Sequence, residues 1–153
     1  LQYFHVWNQN RRKFHFYNDS CATVPEAAVA AVRSFKAPVI LIAGGTDKGL
    51  EQNALSEALS HDARKRVKAL YLLAGTATDK LTELLRTGGI PFHGPYDSLG
   101  ELLGALKANE CADDGKDANE VVLFSPGATS FGMFTNEFER GSKFMEEVKR
   151  IFP

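Results

Sequence analysis

The stretch Pro38-Val39-Ile40-Leu41-Ile42-Ala43-Gly44-Gly45 decides the fold expected of this chain. An unbroken apolar run follows a proline and leads directly into two glycines. A run of this length without alternating polar residues is typical of a strand buried on both faces of a parallel sheet. The alanine-rich segment 25–35 precedes it and places Val29, Val32 and Phe35 at helical spacing. We therefore expect a helix followed by a buried strand.

The same alternation continues along the chain. Further helices are predicted within 51–64, at about 79–86, at about 99–108 and at 138–152, and further strands at 69–74, near 90–92 and at 121–124. Two aromatic runs, 3–7 and 13–17, flank a polar gap and predict an N-terminal β-hairpin. The acidic segment 113–120 is predicted to be a surface loop. The expected fold is a three-layer α/β sandwich, with a mainly parallel Rossmann-like sheet and the hairpin at one edge.

Composition limits the domain organisation and the partners. The 153 residues, 44% hydrophobic and 24% charged, fit one globular domain, 1–153, with a single core. A formal net charge of -1 gives no electrostatic reason to expect nucleic acid or a membrane surface as a partner. Cys21 and Cys111 lack the spacing of a zinc site or a disulfide framework, so we expect no metal and a reducing, cytoplasmic location. Nor does any apolar run reach the ~18 residues of a membrane span.

Small polar loops follow four of the predicted strands. They are 18–23, 44–48, 75–79 and 125–131. Because ligands of open parallel sheets bind beyond the carboxyl ends of the strands, these loops are expected to share one rim and to form the binding site.

Several side chains in these loops have structural explanations of their own. Thr23 followed by Glu26 fits a capping box at the start of a helix. Asp19 and Ser20 can satisfy backbone amides of their own turn, and Ser130 can cap a helix. These structural explanations stand beside a binding role rather than excluding it, because a capping oxygen uses only one lone pair.

The glycine loop matches neither nucleotide-binding template. A dinucleotide fingerprint needs GxGxxG, whereas the glycines here are Gly44, Gly45 and Gly49; a P-loop needs glycine before its lysine, whereas Gly49 follows Lys48. The adjacent glycines are instead expected where the turn needs positive φ or a close backbone approach. The spacing of the polar residues predicts no catalytic dyad or triad.

Three motifs cover nearly all of the chain in order: Tyr-Asn-Asp-Ser-Cys-Ala-Thr at 17–23, Ala-Gly-Gly-Thr-Asp-Lys-Gly at 43–49, and 123–131 followed by Phe-Thr-Asn-Glu-Phe-Glu-Arg-Gly at 134–141. Together they resemble the C-terminal domain of the Mur ligase family, within it the members that add D-glutamate. The resemblance implies an ATP-dependent ligase of peptidoglycan synthesis. In such a ligase the carboxylate of UDP-N-acetylmuramoyl-L-alanine becomes an acyl phosphate, which the amine of D-glutamate attacks.

The resemblance also implies that different domains of the ligase bind the different substrates. The family's N-terminal UDP-binding domain and central ATPase domain, which mainly holds ATP and Mg2+, are absent from this chain, so that the domain alone is expected to be inactive. Lys48 matches the lysine that pairs with a D-glutamate carboxylate, and Ser130 and Thr23 match residues that contact the amino acid. Phe131 matches a position that contributes a backbone amide. The motif on the ATP side of the cleft is matched by Asp19, Asn18 and Ser20.

Two positions depart from the family pattern. Cys21 stands where lysine is common, so that the site loses a positive charge, for which Arg140 or Lys80 is the candidate replacement. Glu137 stands near a usually aromatic position, for which Phe138 is the neighbouring candidate. Cys21 leaves open a related ligase for another amino acid, such as a folylpolyglutamate synthase-like enzyme. A non-catalytic metabolite-binding module also stays open, because a fold does not prove a function.

Overall fold

The computed structural model of the chain describes residues 1–61 and 66–153. Its strands are β1 Gln2–Gln9, β2 Arg12–Asn18, β3 Val39–Ala43, β4 Val67–Leu73, β5 His93–Tyr96 and β6 Ala118–Phe124. Its helices are α1 Pro25–Arg33, α2 Asn53–His61, α3 Thr76–Thr87, α4 Leu99–Glu110 and α5 Glu137–Ile151. The helix predicted within 51–64 is thus observed as α2, and residues 62–64 of that prediction lie outside the described residues.

The strands form one sheet in the order β1-β2-β6-β3-β4-β5. The β1–β2 pair is antiparallel, and every other neighbouring pair is parallel. The hairpin therefore occupies one edge of a mainly parallel sheet, as predicted. Its turn passes through Asn10, a non-glycine residue at positive φ (+53°), a conformation that asparagine tolerates better than most residues.

Helices cover both faces of the sheet, which confirms the three layers. On one face α4 and α5 cover the sheet, and the buried residues there include Phe14, Phe16, Ile40, Ile42, Leu102, Leu106, Phe144 and Val148. On the other face lie α1, α2 and α3, with Leu41, Leu70, Leu72, Ala28, Leu55, Leu59, Leu81 and Leu85. Strand β3 is buried at all five positions, because its alternate side chains enter both cores. The prediction of a single core is therefore wrong, since the sheet separates two apolar layers.

Two predicted boundaries are wrong, and strand register explains both. The strand predicted near 90–92 is observed at β5, where Tyr71 pairs with His93 and fixes the edge strand; Ile90 and Phe92 instead pack against the core under α1–α3. The predicted loop 113–120 ends earlier than expected, because β6 begins at Ala118, the partner of Arg12. Pairing with a neighbouring strand thus outweighed local composition in both places.

A buried ionic cluster lies at the opposite end of the sheet from the polar loops. Glu120 Oε1 accepts hydrogen bonds from Arg12 Nη2 and from Lys68 Nζ, each at 2.8 Å. Arg12 Nη1 also donates to the carbonyls of Glu110 and Ala112, both at 2.9 Å. Burial opposes the ionisation of Glu120, but the hydrogen bonds from Lys68 and Arg12 outweigh it and lower the pKa of this carboxyl. The cluster joins β2, β4 and β6.

Glu120→Gln is expected to destabilise the fold by about 2 kcal/mol at neutral pH, because the buried Arg12 guanidinium loses its counter-charge. Since folding lowers the pKa of Glu120, its stabilising contribution is present above the ordinary value of 4.5 and is lost as the pH falls through the folded-state pKa. Urea unfolding at several pH values measures the difference between the two proteins. That difference should shrink below about pH 4.5; a difference independent of pH would contradict the ionic role of Glu120.

Candidate functional site

The four polar loops meet at one rim of the sheet, as the sequence predicts. The loops after β2 and β6 are joined first, because the parallel register that pairs Asn18 with Phe124 continues one residue further. The Asp19 amide donates to the Phe124 carbonyl at 2.7 Å, and Ser125 Oγ donates to Asp19 Oδ2 at 2.8 Å. The Asp19 carboxylate is therefore held by the neighbouring loop.

The loops after β6 and β3 are joined through two threonines. Thr46 and Thr129 exchange backbone hydrogen bonds of 3.2 and 3.0 Å, and Thr129 Oγ1 donates to the Thr46 carbonyl at 3.0 Å. Thr46 Oγ1 in turn donates to the Phe131 carbonyl. Because Lys48 and Ser130 follow these threonines within two residues, the pairing carries both of them on adjoining loops.

The glycines allow the loop after β3 to approach its neighbours closely. Gly44 and Gly45 have φ of +98° and +149°, as expected for this turn. A Cβ atom on Gly44 would lie 2.6 Å from the Leu73 carbonyl oxygen, and one on Gly45 would lie 2.7 Å from the Thr129 carbonyl oxygen. Side chains at these positions would therefore push apart the loops that form the rim.

The same glycines cannot offer their amides to a phosphate. The Gly44 amide donates to the Pro126 carbonyl at 2.8 Å, and the Gly45 amide donates to Thr78 Oγ1 at 3.0 Å. A P-loop works by pointing free backbone N–H groups at the ligand. Here the fold itself uses these donors, which agrees with the failure of both nucleotide templates.

Lys48 is the exposed cation of the rim. Its Nζ lies 3.5 Å from Thr23 Oγ1 and forms no ion pair with any residue in 1–61 or 66–153. Thr23 is partly buried and does not cap α1: the N-cap is Val24, without a side-chain hydrogen bond, and Pro25 opens the helix. The predicted capping box of Thr23 and Glu26 is therefore wrong, since the helix starts one residue later and the threonine hydroxyl faces Lys48.

Ser130 and Phe131 form the other side of the rim. Ser130 is 5% exposed, and its carbonyl accepts from the Phe134 amide at 2.9 Å, whereas its hydroxyl has no hydrogen-bond partner in the described part of the chain. The Phe131 amide is likewise unpaired with the described residues, and the Phe131 side chain is exposed. Ser130 therefore does not act as a helix cap, and its hydroxyl and the Phe131 amide remain available to a ligand.

Arg140 is buried and hydrogen-bonded within the fold, so it does not replace the lysine that is missing at Cys21 as a cation for the substrate. Only 1% of it is exposed, and its guanidinium donates to Ser20 Oγ at 2.9 Å, to the Ser20 carbonyl at 2.6 Å and to the Ala128 carbonyl at 2.9 Å. Burial lowers the pKa of Arg140 to about 10, which leaves it charged at neutral pH. Lys80, the other candidate, is paired with Asp47. The idea that Arg140 replaces the missing lysine is thus wrong, and Lys80 is already engaged.

The residues predicted for the ATP side are mostly used within the fold. Asn18 Oδ1 accepts from the Ser20 amide at 3.1 Å, and Ser20 Oγ donates to the Glu137 carbonyl at 2.7 Å. Cys21 is exposed and free. Phe138, at 69% exposed, projects from the start of α5.

The contact between Ser20 and Arg140 was not predicted from the sequence. The small residue Gly141 beside Arg140 was a signal for it, because a Cβ there would lie 2.9 Å from Asn18 Nδ2.

The rim is open, and its enclosed space is small. A cleft between the β3 loop and the β6 loop has a volume of about 10 Å³, room for about one water molecule. A larger groove of about 770 Å³ lies between α1 and α2, lined by residues such as Val29, Arg33 and Glu57. We place the candidate site at the rim because Lys48, without an acidic partner, and the Ser130 hydroxyl and Phe131 amide, without hydrogen-bond partners among the described residues, lie there on adjoining loops.

The described residues contain no cluster of three or more His, Cys, Asp or Glu side chains that could hold a metal ion. None of the helices within 1–61 and 66–153 combines the length and the apolar character needed to cross a bilayer.

The chain has close sequence relatives among curated proteins. It is 46% identical over 137 residues to the UDP-N-acetylmuramoylalanine--D-glutamate ligase of Treponema pallidum (strain Nichols), covering 90% of this chain and 24% of the relative. It is 43% identical over 136 residues to the ligase of the same name from Roseiflexus sp. (strain RS-1), covering 88% and 27%. The chain therefore spans about a quarter of the length of these relatives. No protein-family model matches the chain.

A solved structure shares the fold. It is a crystallised domain from Haemophilus ducreyi 35000HP, assigned to a UDP-N-acetylmuramate:L-alanyl-gamma-D-glutamyl-meso-diaminopimelate ligase, and it matches 99% of this chain and 96% of that domain with a TM-score of 0.53. At 13% identity the match shows the fold alone. The sequence relatives confirm the resemblance to the Mur ligases, and the solved domain agrees with the predicted architecture.

Proposed function

We propose, from its homology with UDP-N-acetylmuramoylalanine--D-glutamate ligases over nine-tenths of its length, that this chain is the C-terminal, amino-acid-binding domain of such a ligase. The longer protein, called the full-length ligase below, would use ATP to join D-glutamate to UDP-N-acetylmuramoyl-L-alanine in peptidoglycan synthesis. The structural observation that supports amino-acid binding is that Lys48 has no acidic partner among the described residues and lies on a loop adjoining the unpaired donors of Ser130 and Phe131.

The donor set suits a dianionic amino acid. D-glutamate carries two carboxylates, and a carboxylate is bound best by a cation together with fixed hydrogen-bond donors. Lys48 would supply the charge, and Ser130 Oγ with the Phe131 amide would supply donors on a loop that the Thr46–Thr129 pairing holds in place. Thr23 Oγ1, 3.5 Å from the Lys48 ammonium, would help to hold it in place.

The contribution of this chain to the reaction would be positioning. With its carboxylates bound at the rim, the amino acid would present its amine as the free end. An amine held in line with an activated carboxyl group reacts as if at a much higher concentration, which can lower the barrier by several kcal/mol. No residue of this chain needs to form a covalent intermediate for this role.

The residues that the structure describes do not form a site for ATP and Mg2+ by themselves. The Gly44 and Gly45 amides are already hydrogen-bonded, and the described residues offer no carboxylate cluster for a metal ion. Asp19, supported by Asn18 and Ser20, would offer at most a contact at the edge of a nucleotide held elsewhere. Because the chain spans about a quarter of the relatives' length, we assign ATP and Mg2+ to the rest of the full-length ligase. We also propose a cytoplasmic location for the full-length ligase.

Because Cys21 stands in place of a lysine, the amino-acid specificity of the ligase is open, and several amino acids should be compared as substrates. Arg140 and Lys80 are engaged, and Cys21 stands in place of a lysine, so Lys48 is the one rim cation within 1–61 and 66–153 that is not paired. A related ligase of changed specificity therefore stays the second candidate. The reading frame that encodes the chain separates both ligases from a stand-alone binding module: a GxxxxGK[ST] loop encoded upstream of Leu1 supports a ligase, and its absence from the frame overturns one.

Ser130→Ala in the full-length ligase is expected to raise the KM for D-glutamate about tenfold, because a hydrogen bond to a charged group is lost. The KM for ATP should stay unchanged, and steady-state phosphate release measures both constants. Thr87→Ala, a hydroxyl deletion at the exposed end of α3, is the matched control. An unchanged KM for D-glutamate in the Ser130 variant would remove this residue from the site.

A further inference from the structure

The turn that carries Lys48 is held by Asp47. The Asp47 amide donates to Thr76 Oγ1 at 2.9 Å, and Asp47 Oδ1 accepts from the amides of Gly49 and Leu50 at 3.0 and 3.1 Å. These bonds fix the backbone on both sides of Lys48. The Asp47 side chain is 14% exposed, so the carboxylate sits within the turn.

The remaining oxygen of Asp47 is engaged by Lys80 from helix α3. Lys80 Nζ donates to Asp47 Oδ2, and the Lys80 side chain is 52% exposed. The hydrogen bond from Lys80 is also the main cause that lowers the pKa of the Asp47 carboxyl, which is thus charged at neutral pH. The ion pair leaves Lys48 next to a carboxylate that already has a partner.

Resting on the proposed function, we propose that Asp47 and Lys80 act as a positioning pair that keeps Lys48 free for the carboxylate of the amino-acid substrate. Asp47 shapes the turn, and Lys80 neutralises the charge that the turn requires. Without Lys80, the Asp47 carboxylate would compete with the substrate for the Lys48 ammonium or repel the dianion directly. Lys80 therefore assists anion binding without contacting the anion.

The pair explains how the rim works with few cations. The turn needs a side chain that accepts from two amides, which favours aspartate, yet an unpaired aspartate beside an anion-binding lysine would weaken the site. Helix α3 meets both requirements. Its Thr76 Oγ1 accepts the hydrogen bond from the Asp47 amide, and its Lys80 neutralises the Asp47 carboxylate.

Lys80→Met in the full-length ligase is expected to raise the KM for D-glutamate about fivefold, the size expected of one uncompensated charge near a bound dianion at a solvated surface. The kcat and the KM for ATP should be unchanged. Adding Asp47→Asn, which keeps an oxygen for the two amides and removes the charge, should return the KM toward that of the unsubstituted ligase. Arg150→Met, which breaks the exposed Arg150–Glu147 pair on α5, is the matched control.

A KM for D-glutamate that is unchanged in Lys80→Met, or that is not restored by adding Asp47→Asn, would overturn the positioning role. A merely structural ion pair would not give this rescue, because removing both partners would leave the same local damage. The unsubstituted ligase is measured first: if D-glutamate does not stimulate its phosphate release, the proposed function fails, and that failure is visible before any variant is made.

Discussion

Lys48→Ala in the full-length ligase is expected to raise the KM for D-glutamate about 30-fold, the largest effect of any exposed side chain at the rim. Lys48 forms no ion pair with the described residues, so its ammonium is available to a substrate carboxylate. Because this interaction concerns binding of the amino acid, the KM for ATP should change little. Steady-state kinetics with D-glutamate varied at saturating ATP measures the effect.

Lys149→Ala, an exposed lysine in the last turn of α5, is the matched control and should leave both constants unchanged. If Lys48→Ala and the control behave alike, Lys48 does not bind the substrate. If Lys48→Ala lowers kcat and leaves the KM unchanged, Lys48 acts in the transition state alone and the binding role assigned to it is wrong.

Arg140→Met is expected to destabilise the domain by about 4 kcal/mol, because it leaves buried carbonyls without donors. Arg140 is 1% exposed, and its three hydrogen bonds tie the start of α5 to Ser20 and to Ala128. Since these loops carry the rim, the variant should also bind the amino acid less well, in proportion to the fraction of molecules that unfold. Urea unfolding of the isolated chain measures the loss of stability.

Two further variants make the test of Arg140 specific. Arg140→Lys keeps the charge but cannot span the same acceptors, so its stability should fall between those of the wild type and Arg140→Met. Arg150→Met removes an exposed arginine of the same helix and should cause no measurable change. An unfolding midpoint of Arg140→Met equal to that of the wild type would contradict the bracing role.

Most of the architecture can be predicted from the sequence because burial dictates it. An apolar run such as 39–43 is typical of a strand covered on both faces, and the observed sheet buries all five residues. The meeting of the polar loops follows from the same pattern, because the carboxyl ends of parallel strands lie at one edge. Edge strand β5 was misplaced because its position depends on the register with β4, which no local pattern records.

The candidate site can be predicted only in part from the sequence. Lys48 and Ser130 could be selected from motifs, but their freedom from partners among the described residues depends on long-range contacts such as Thr46 with Thr129. The burial of Arg140 was not predicted either, since a charged residue on an amphipathic helix is usually solvated and the neighbouring Gly141 was the one hint of close packing. The Asp19–Ser125 contact could have been predicted, because it continues the register of the paired strands β2 and β6.

The most direct test of the central claim is the amino-acid dependence of phosphate release by the full-length ligase. UDP-N-acetylmuramoyl-L-alanine and ATP are supplied with D-glutamate, L-glutamate or D-alanine in turn. We predict that D-glutamate stimulates phosphate release and that the other two do not. Stimulation by another amino acid in preference to D-glutamate, or by none of them, would contradict the assignment of this chain as the D-glutamate-binding domain.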